Sequence, residues 1–188
     1  MRVISGKYKG RILSAPRGEV RPTTDLVKGS LFSVLTSKGL IDGARCLDIF
    51  CGTGGLGIEA LSRGAESCVF VDKNIDNVKK NIDKIGVENV TLIQRDFRSA
   101  LKILKDEKFD LIFCDPPYKS GYCEMTVKEV FSTGMLNIGG AIIIEHSSEN
   151  DLINLPDNCI IDRRVFGISA IEIIIRGGDD ESDICGDV

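Results

Sequence analysis

Apolar residues fall along this chain in short blocks whose spacing switches between two periods. Cys46–Phe50, Cys68–Val71, Val90–Gln94, Phe109–Cys114 and Gly140–Glu145 are runs of strand length, rich in apolar residues, of the kind a parallel sheet buries on both faces. Between them, Asn74–Ile85 places Ile75, Val78, Ile82 and Ile85 at helical spacing. Ile58–Ser62, Ser99–Leu104 and Cys123–Phe131 also read as helices. A further helical pattern follows Arg21-Pro22-Thr23-Thr24-Asp25 and runs to about Ser37, with Leu26, Leu31, Val34 and Leu35 on one face. Cys159–Phe166 and Ala170–Arg176, around Gly167, predict an antiparallel hairpin at a sheet edge. Arg2–Ser5 and Tyr8–Leu13, around Gly6-Lys7, predict a second hairpin at the N-terminus. Strands alternating with helices predict a doubly wound α/β fold with a seven-stranded sheet. The expected organisation is a basic β-hairpin and linker over 1–20, one domain over 21–176 and an acidic, disordered tail over 177–188.

The densest chemistry lies at Arg45–Gly57, RCLDIFCGTGGLG. A strand runs into Gly52, Gly54, Gly55 and Gly57 and then into a helix, which is the βα turn that lets a nucleotide cofactor sit against the backbone. The next strand ends in Asp72, twenty residues after Gly52, where a carboxylate can accept both ribose hydroxyls of an adenosine. Asp48 interrupts the first strand. A carboxylate there needs donors, from N–H groups or from a cationic ligand. It would repel a pyrophosphate and suit the amino and sulfonium groups of S-adenosylmethionine, which disfavours a nicotinamide dinucleotide.

Asp115-Pro116-Pro117-Tyr118 follows the fourth strand. Two prolines remove two backbone donors and hold the chain extended, leaving the Asp115 carboxylate and local carbonyls as acceptors. Tyr118 adds a flat face for a planar group. Such a site suits an exocyclic N–H₂ on a base, whose lone pair becomes nucleophilic when its protons are accepted. A strand-ending turn with an N-capping Asp is the bland alternative. Asp72, Asp96, Asp115 and Glu145 all stand at or just after the C-terminal end of a strand, where ligands of such sheets bind, and are predicted to share one crevice.

Charge sharpens the picture. The net charge is −4, but residues 1–39 hold eight Lys/Arg against two Asp/Glu, a net of +6. A basic segment on an otherwise acidic chain is a footprint for a polyanion, with Arg2, Lys7, Lys9, Arg11 and Arg21 as candidate RNA contacts. Thr23 or Thr24 can cap the following helix; closing the pocket is the sharper role for that stretch. Seven cysteines without a Cys-x-x-Cys pair and a single histidine, His146, make a zinc site unexpected and fit a reducing cytoplasm. No apolar run reaches membrane-spanning length and the N-terminus lacks a secretory h-region, so a cytoplasmic monomer without membrane contact is expected.

On these residues the chain resembles the RsmD-type methyltransferases of bacterial small-subunit ribosomal RNA, over about residues 1 to 176. The resemblance is carried by Gly6, Gly10-Arg11, Arg21-Pro-Thr-Thr-Asp25, Leu31-Phe32, Leu47 to Gly57, Glu59-Ala-Leu-Ser-Arg63-Gly-Ala65 and Asp115 to Tyr118. It implies a class I, Rossmann-like methyltransferase that modifies guanine N2 using S-adenosylmethionine, on ribosomal RNA or an assembling small subunit. It further implies that Asp48, Gly52, Thr53 and Gly54 line the methionine part of the cofactor and that Asp72 holds the ribose. Asp96 would accept from the adenine amine and Phe97 would pack on its ring. Asp115 and the Pro116 carbonyl would hold the target amine, Pro117 and Tyr118 would complete the motif with Tyr118 stacking on the base, and Arg21, Thr23 and Thr24 would help close the pocket. Members often carry Arg-Val-Arg-Glu after the Asp corresponding to Asp25; this chain has Leu26-Val27-Lys28-Gly29, which offers fewer guanidiniums to phosphate. Other classes compatible with the residues are an amino-methyltransferase of another target, such as adenine N6, and an RNA-binding protein that kept the fold without the chemistry.

Overall fold

A computed structural model describes residues 1–14, 25–116, 121–149, 155 and 158–178. Twelve elements follow one another: α1 (Asp25–Ser37), β1 (Arg45–Ile49), α2 (Gly55–Ser62), β2 (Ser67–Asp72), α3 (Asp76–Ile85), β3 (Val90–Gln94), α4 (Phe97–Ile103), β4 (Phe109–Cys114), α5 (Tyr122–Ser132), β5 (Leu136–Ser147), β6 (Cys159–Phe166) and β7 (Ser169–Arg176). They build a seven-stranded sheet in the order β3-β2-β1-β4-β5-β7-β6. The first five strands are parallel and β7 returns antiparallel between β5 and β6. The Rossmann-like expectation is met.

The strands are apolar in both parities because each face is covered. Cys46, Phe70, Leu111, Phe113, Ile143 and Ile173 face a core built with α1, α2 and α3. Leu47, Ile49, Val71, Ile112, Ile142 and Ile174 face a core built with α4 and α5. From β1 the chain steps outward through β2 to β3, then returns to the other side of β1 as β4. This reversal opens a crevice beyond the C-terminal ends of β1 and β4.

Three expectations are refined. The N-terminal hairpin pairs antiparallel at Arg2↔Ile12, with backbone bonds from Val3 N–H to Arg11 O (2.9 Å), Gly10 N–H to Val3 O (2.9 Å) and Leu13 N–H to Met1 O (3.1 Å). Its apolar residues Val3, Tyr8 and Leu13 are buried in the first core, and its Ile4, Ser5, Tyr8 and Ser14 N–H groups donate to side chains of the body of the protein. The Lys7 N–H donates to the Ser62 carbonyl at 2.7 Å, and a Cβ on Gly6 would stand 1.6 Å from that same oxygen, so only glycine fits. Second, α1 is rotated from its predicted face: Leu26 is 80% exposed, and Lys28, Leu31, Phe32 and Leu35 are buried. Lys28 takes an inward position because its ammonium meets Glu59 at 3.2 Å and donates to the Arg2 carbonyl at 2.6 Å. Burial still pulls that ammonium below its ordinary pKa, against the pull of Glu59. Lys28 is thereby withdrawn from any phosphate contact. Third, β5 starts at Leu136, ahead of Gly140, and α4 starts at Phe97, ahead of Ser99.

Candidate active site

The crevice is shaped by the turn from β1 into α2. Phe50 leaves the strand with φ +63°, an uncommon conformation for a residue with a Cβ. The Cys51 N–H then donates to Val71 O, and Gly54 N–H closes the turn on Cys51 O at 2.7 Å. Gly54 is left-handed, and a Cβ there would press on Val78 at 2.6 Å. A Cβ on Gly57 would lie 2.4 Å from the Phe70 ring, so this glycine sets how closely α2 packs on β2.

Acidic groups surround the turn. Asp48 is buried on β1 and accepts the Gly57 N–H at 2.9 Å; burial lifts its carboxyl to about 7, against that hydrogen bond. Asp72, half-buried at the end of β2, accepts the N–H groups of Gly52 (2.9 Å) and Asn74 (3.1 Å). Asp96 caps α4 by accepting the Arg98 N–H and pairs with Lys73 at 3.4 Å. Asp115 follows the last residue of β4, and Glu145 stands beside it on β5, one step beyond the Cys114↔Ile144 pair. Burial, Glu145 and Asp48, in that order, push the Asp115 carboxyl up to about 8. By strand parity Asp48, Asp115 and Glu145 lie on the face that carries Phe113 and Ile143. Pro116 is buried beside them.

Phe97, expected to pack on the adenine ring, opens α4 next to Asp96. It is 3% exposed, its ring centroid 4.9 Å from Phe50 and 4.8 Å from Tyr122, with the Arg98 guanidinium over its ring. Pro117 and Tyr118 of the proline motif, and Arg21, Thr23 and Thr24 before α1, lie outside the described residues.

The basic arm is exposed at Arg2, Lys7, Lys9 and Arg11. Arg2 pairs with Asp25 at 3.1 Å and Lys7 with Glu88 at 3.0 Å; Lys9 and Arg11 make no ion pair among the described residues. Pattern reading missed the residues that hold this arm. Glu59 accepts the N–H groups of Ile4 and Ser5 and pairs with Lys28 and Arg63. Ser62 accepts the Tyr8 N–H, and Asn81 binds Ser14. One signal was available: Glu59 is a lone charge in the otherwise uncharged helix GLGIEALS. Among the described residues no group of His, Cys, Asp and Glu is disposed to hold a metal.

The family model described as "Conserved hypothetical protein 95" matches residues 1–175. The chain is 38% identical to the "Putative rRNA methyltransferase YlbH" of Bacillus subtilis over 186 residues, 95% of this chain and 100% of that one. It is 33% identical to the "Ribosomal RNA small subunit methyltransferase D" of Escherichia coli K12 over 188 residues, covering 97% and 93%. The chain belongs to the RsmD-type methyltransferase family. A solved member, the "Putative methyltransferase yhhF from Escherichia coli", superposes with a TM-score of 0.85 at 32% identity over 94% of this chain and 98% of that one. For an RsmD-type chain, the crevice beside Asp115 and the arm anchored on α2 are the two features that carry the functional reading.

Proposed function

We propose that this chain transfers a methyl group from S-adenosylmethionine to the exocyclic N2 amine of a guanine in small-subunit ribosomal RNA. The observation that carries the reading is Asp115: a carboxyl raised to about 8, at the end of β4, directly across the switch point from the glycine turn and Asp72. A raised carboxyl at a strand end is suited to accept a proton from an amine, and a purely structural one would be expected to find protein donors.

The residues of the crevice fit the cofactor. Gly52 and Gly54 bring no side chain to the turn, Asp72 accepts from Gly52 and Asn74 and has lone pairs left for ribose hydroxyls, and Asp48 offers a negative site to a cationic methionine end. When bound, S-adenosylmethionine supplies an electrophilic methyl group. The protein's share is positioning and proton handling. Asp115 and the Pro116 carbonyl hold the amine protons, which draws the nitrogen toward a pyramidal geometry with an available lone pair. Asp115 then takes up the proton released as the new N–C bond forms. Pro117 and Tyr118 complete the amine site, Tyr118 stacking on the base; Thr53 lines the methionine end; Arg21, Thr23 and Thr24 close the pocket. Lys9 and Arg11, exposed and without an ion pair among the described residues, are the leading phosphate contacts of the arm, with Arg2 and Lys7 behind them. Catalysis by a cytoplasmic monomer is part of the same reading.

The test is methyl transfer from radiolabelled S-adenosylmethionine to small ribosomal subunits lacking this modification, followed by nucleoside analysis. Label in N2-methylguanosine is expected. Label in N6-methyladenosine would keep the mechanism and replace the base. Absence of label in subunits and free RNA, with the cofactor bound, would overturn the substrate.

A further inference from the structure

Asn81 plays no part in the chemistry above, yet its placement is unusual. It lies on α3 among Val78, Ile82 and Ile85 and is completely buried. A carboxamide in such a place costs stability unless its groups are paired, and an apolar residue would pack there without that requirement. All its polar groups are used. Nδ2 donates to the Thr53 carbonyl at 2.9 Å and to the Ser14 carbonyl at 3.1 Å, and Oδ1 accepts the Ser14 N–H at 2.8 Å. The two bonds to Ser14 make a reciprocal amide pair, as between neighbouring strands. The third reaches the middle of the turn between Gly52 and Gly54. One side chain therefore clamps the end of the basic arm to the loop assigned to the cofactor. The two elements touch again where Met1 approaches Gly55, leaving only 2.6 Å between its sulfur and the site of a Cβ there.

We propose that Asn81 is a positioning residue that couples the two substrate sites, so that cofactor bound at the glycine turn strengthens RNA binding along the arm. The inference rests on the cofactor and RNA reading given above. A carboxamide bonded to both partners favours one arrangement of the Thr53 carbonyl and the Ser14 peptide together. A ligand that orders either partner lowers the cost of ordering the other. By linkage the effect is reciprocal: RNA tightens cofactor binding by the same factor.

The test measures the dissociation constant of the full chain for small-subunit ribosomal RNA with and without saturating S-adenosylhomocysteine. It compares the parent with Asn81→Ala and Ser14→Pro. In the parent, S-adenosylhomocysteine tightens RNA binding by about fivefold or more. Ser14→Pro removes the N–H donated to Oδ1 and leaves the Thr53 bond in place. It is expected to keep the affinity for S-adenosylhomocysteine and to bring the coupling factor close to one. Asn81→Ala, checked for folding by its melting curve, loses the coupling and weakens S-adenosylhomocysteine as well. A parent factor close to one, or coupling retained in Ser14→Pro, overturns the proposal. So does a Ser14→Pro chain that loses S-adenosylhomocysteine affinity, because the pair would then be serving stability alone. If the parent binds neither S-adenosylhomocysteine nor the RNA, the failure belongs to the functional reading beneath the proposal.

Discussion

Asp48 and Glu59 are two buried carboxylates on consecutive elements, joined by the same glycine turn, and their surroundings are opposite. Glu59, fully buried, receives the N–H groups of Ile4 and Ser5 at 2.7 and 3.1 Å, the Lys28 ammonium at 3.2 Å and the Arg63 guanidinium at 2.8 Å. Among the described residues Asp48 receives one N–H, from Gly57, and the nearby charge of Asp72 adds to the cost of ionising it. A carboxylate saturated by protein donors is architecture: it fixes the arm and α1 onto α2. A carboxylate given a single donor is left with capacity for a ligand, and its cost falls at the place proposed for the cationic end of the cofactor.

The sharpest way to break this contrast is Glu59→Ala. It leaves Lys28 buried without its partner, and removing one member of a buried pair costs about 3–5 kcal/mol. The expected result is a large drop in the urea midpoint, with proteolytic sensitivity appearing in the arm. A loss of about 1 kcal/mol or less, the range of exposed pairs, would erase the architectural role of Glu59. Next in size is Asp115→Ala, expected to lower turnover by about a hundredfold or more with cofactor affinity retained, read by single-turnover methylation beside calorimetric titration. If affinity fell and turnover per bound complex did not, Asp115 would belong with Asp48 as a cofactor group.

Asp48→Asn tests the other side of the contrast. The folded carboxyl titrates at about 7 and the unfolded one at about 3.9, so ionising it drains stability as pH rises from about 4 to about 7. Asparagine cannot ionise. The melting temperature of the ligand-free variant relative to the parent should therefore climb by a few degrees between pH 5 and pH 8, while cofactor affinity falls. A flat difference across that range would show that the Asp48 charge is not strained. A smaller effect is expected from pH on catalysis. With Asp115 at about 8, kcat/KM should rise with pH and level off above that value. Glu145→Gln removes a negative neighbour and should move the rise to lower pH; an unmoved profile would detach Glu145 from Asp115. The smallest effects belong to the arm. Lys9→Glu with Arg11→Glu should weaken RNA binding and flatten the log–log salt dependence by about two, more than the same change at the already paired Arg2 and Lys7.

What the chain determines by itself is whatever depends on neighbours in sequence. The strands and helices of the described residues, the glycine turn and the acids at strand ends are legible because side-chain period, glycine conformation and strand length are local properties. The family resemblance rests on such stretches too, and the matched family spans residues 1–175. What only the tertiary structure decided depends on partners far away in sequence. Pattern reading assigns Leu26 to the buried face of α1 and leaves Lys28 outside it, and that assignment fails because Glu59 can neutralise Lys28 inside the protein. The arm reads as a self-pairing hairpin and does pair with itself, but its Ile4, Ser5, Tyr8 and Ser14 N–H groups are held by Glu59, Ser62 and Asn81. In both places buried polar groups are satisfied across the fold rather than within their own segment, and that is settled only once the elements are packed together.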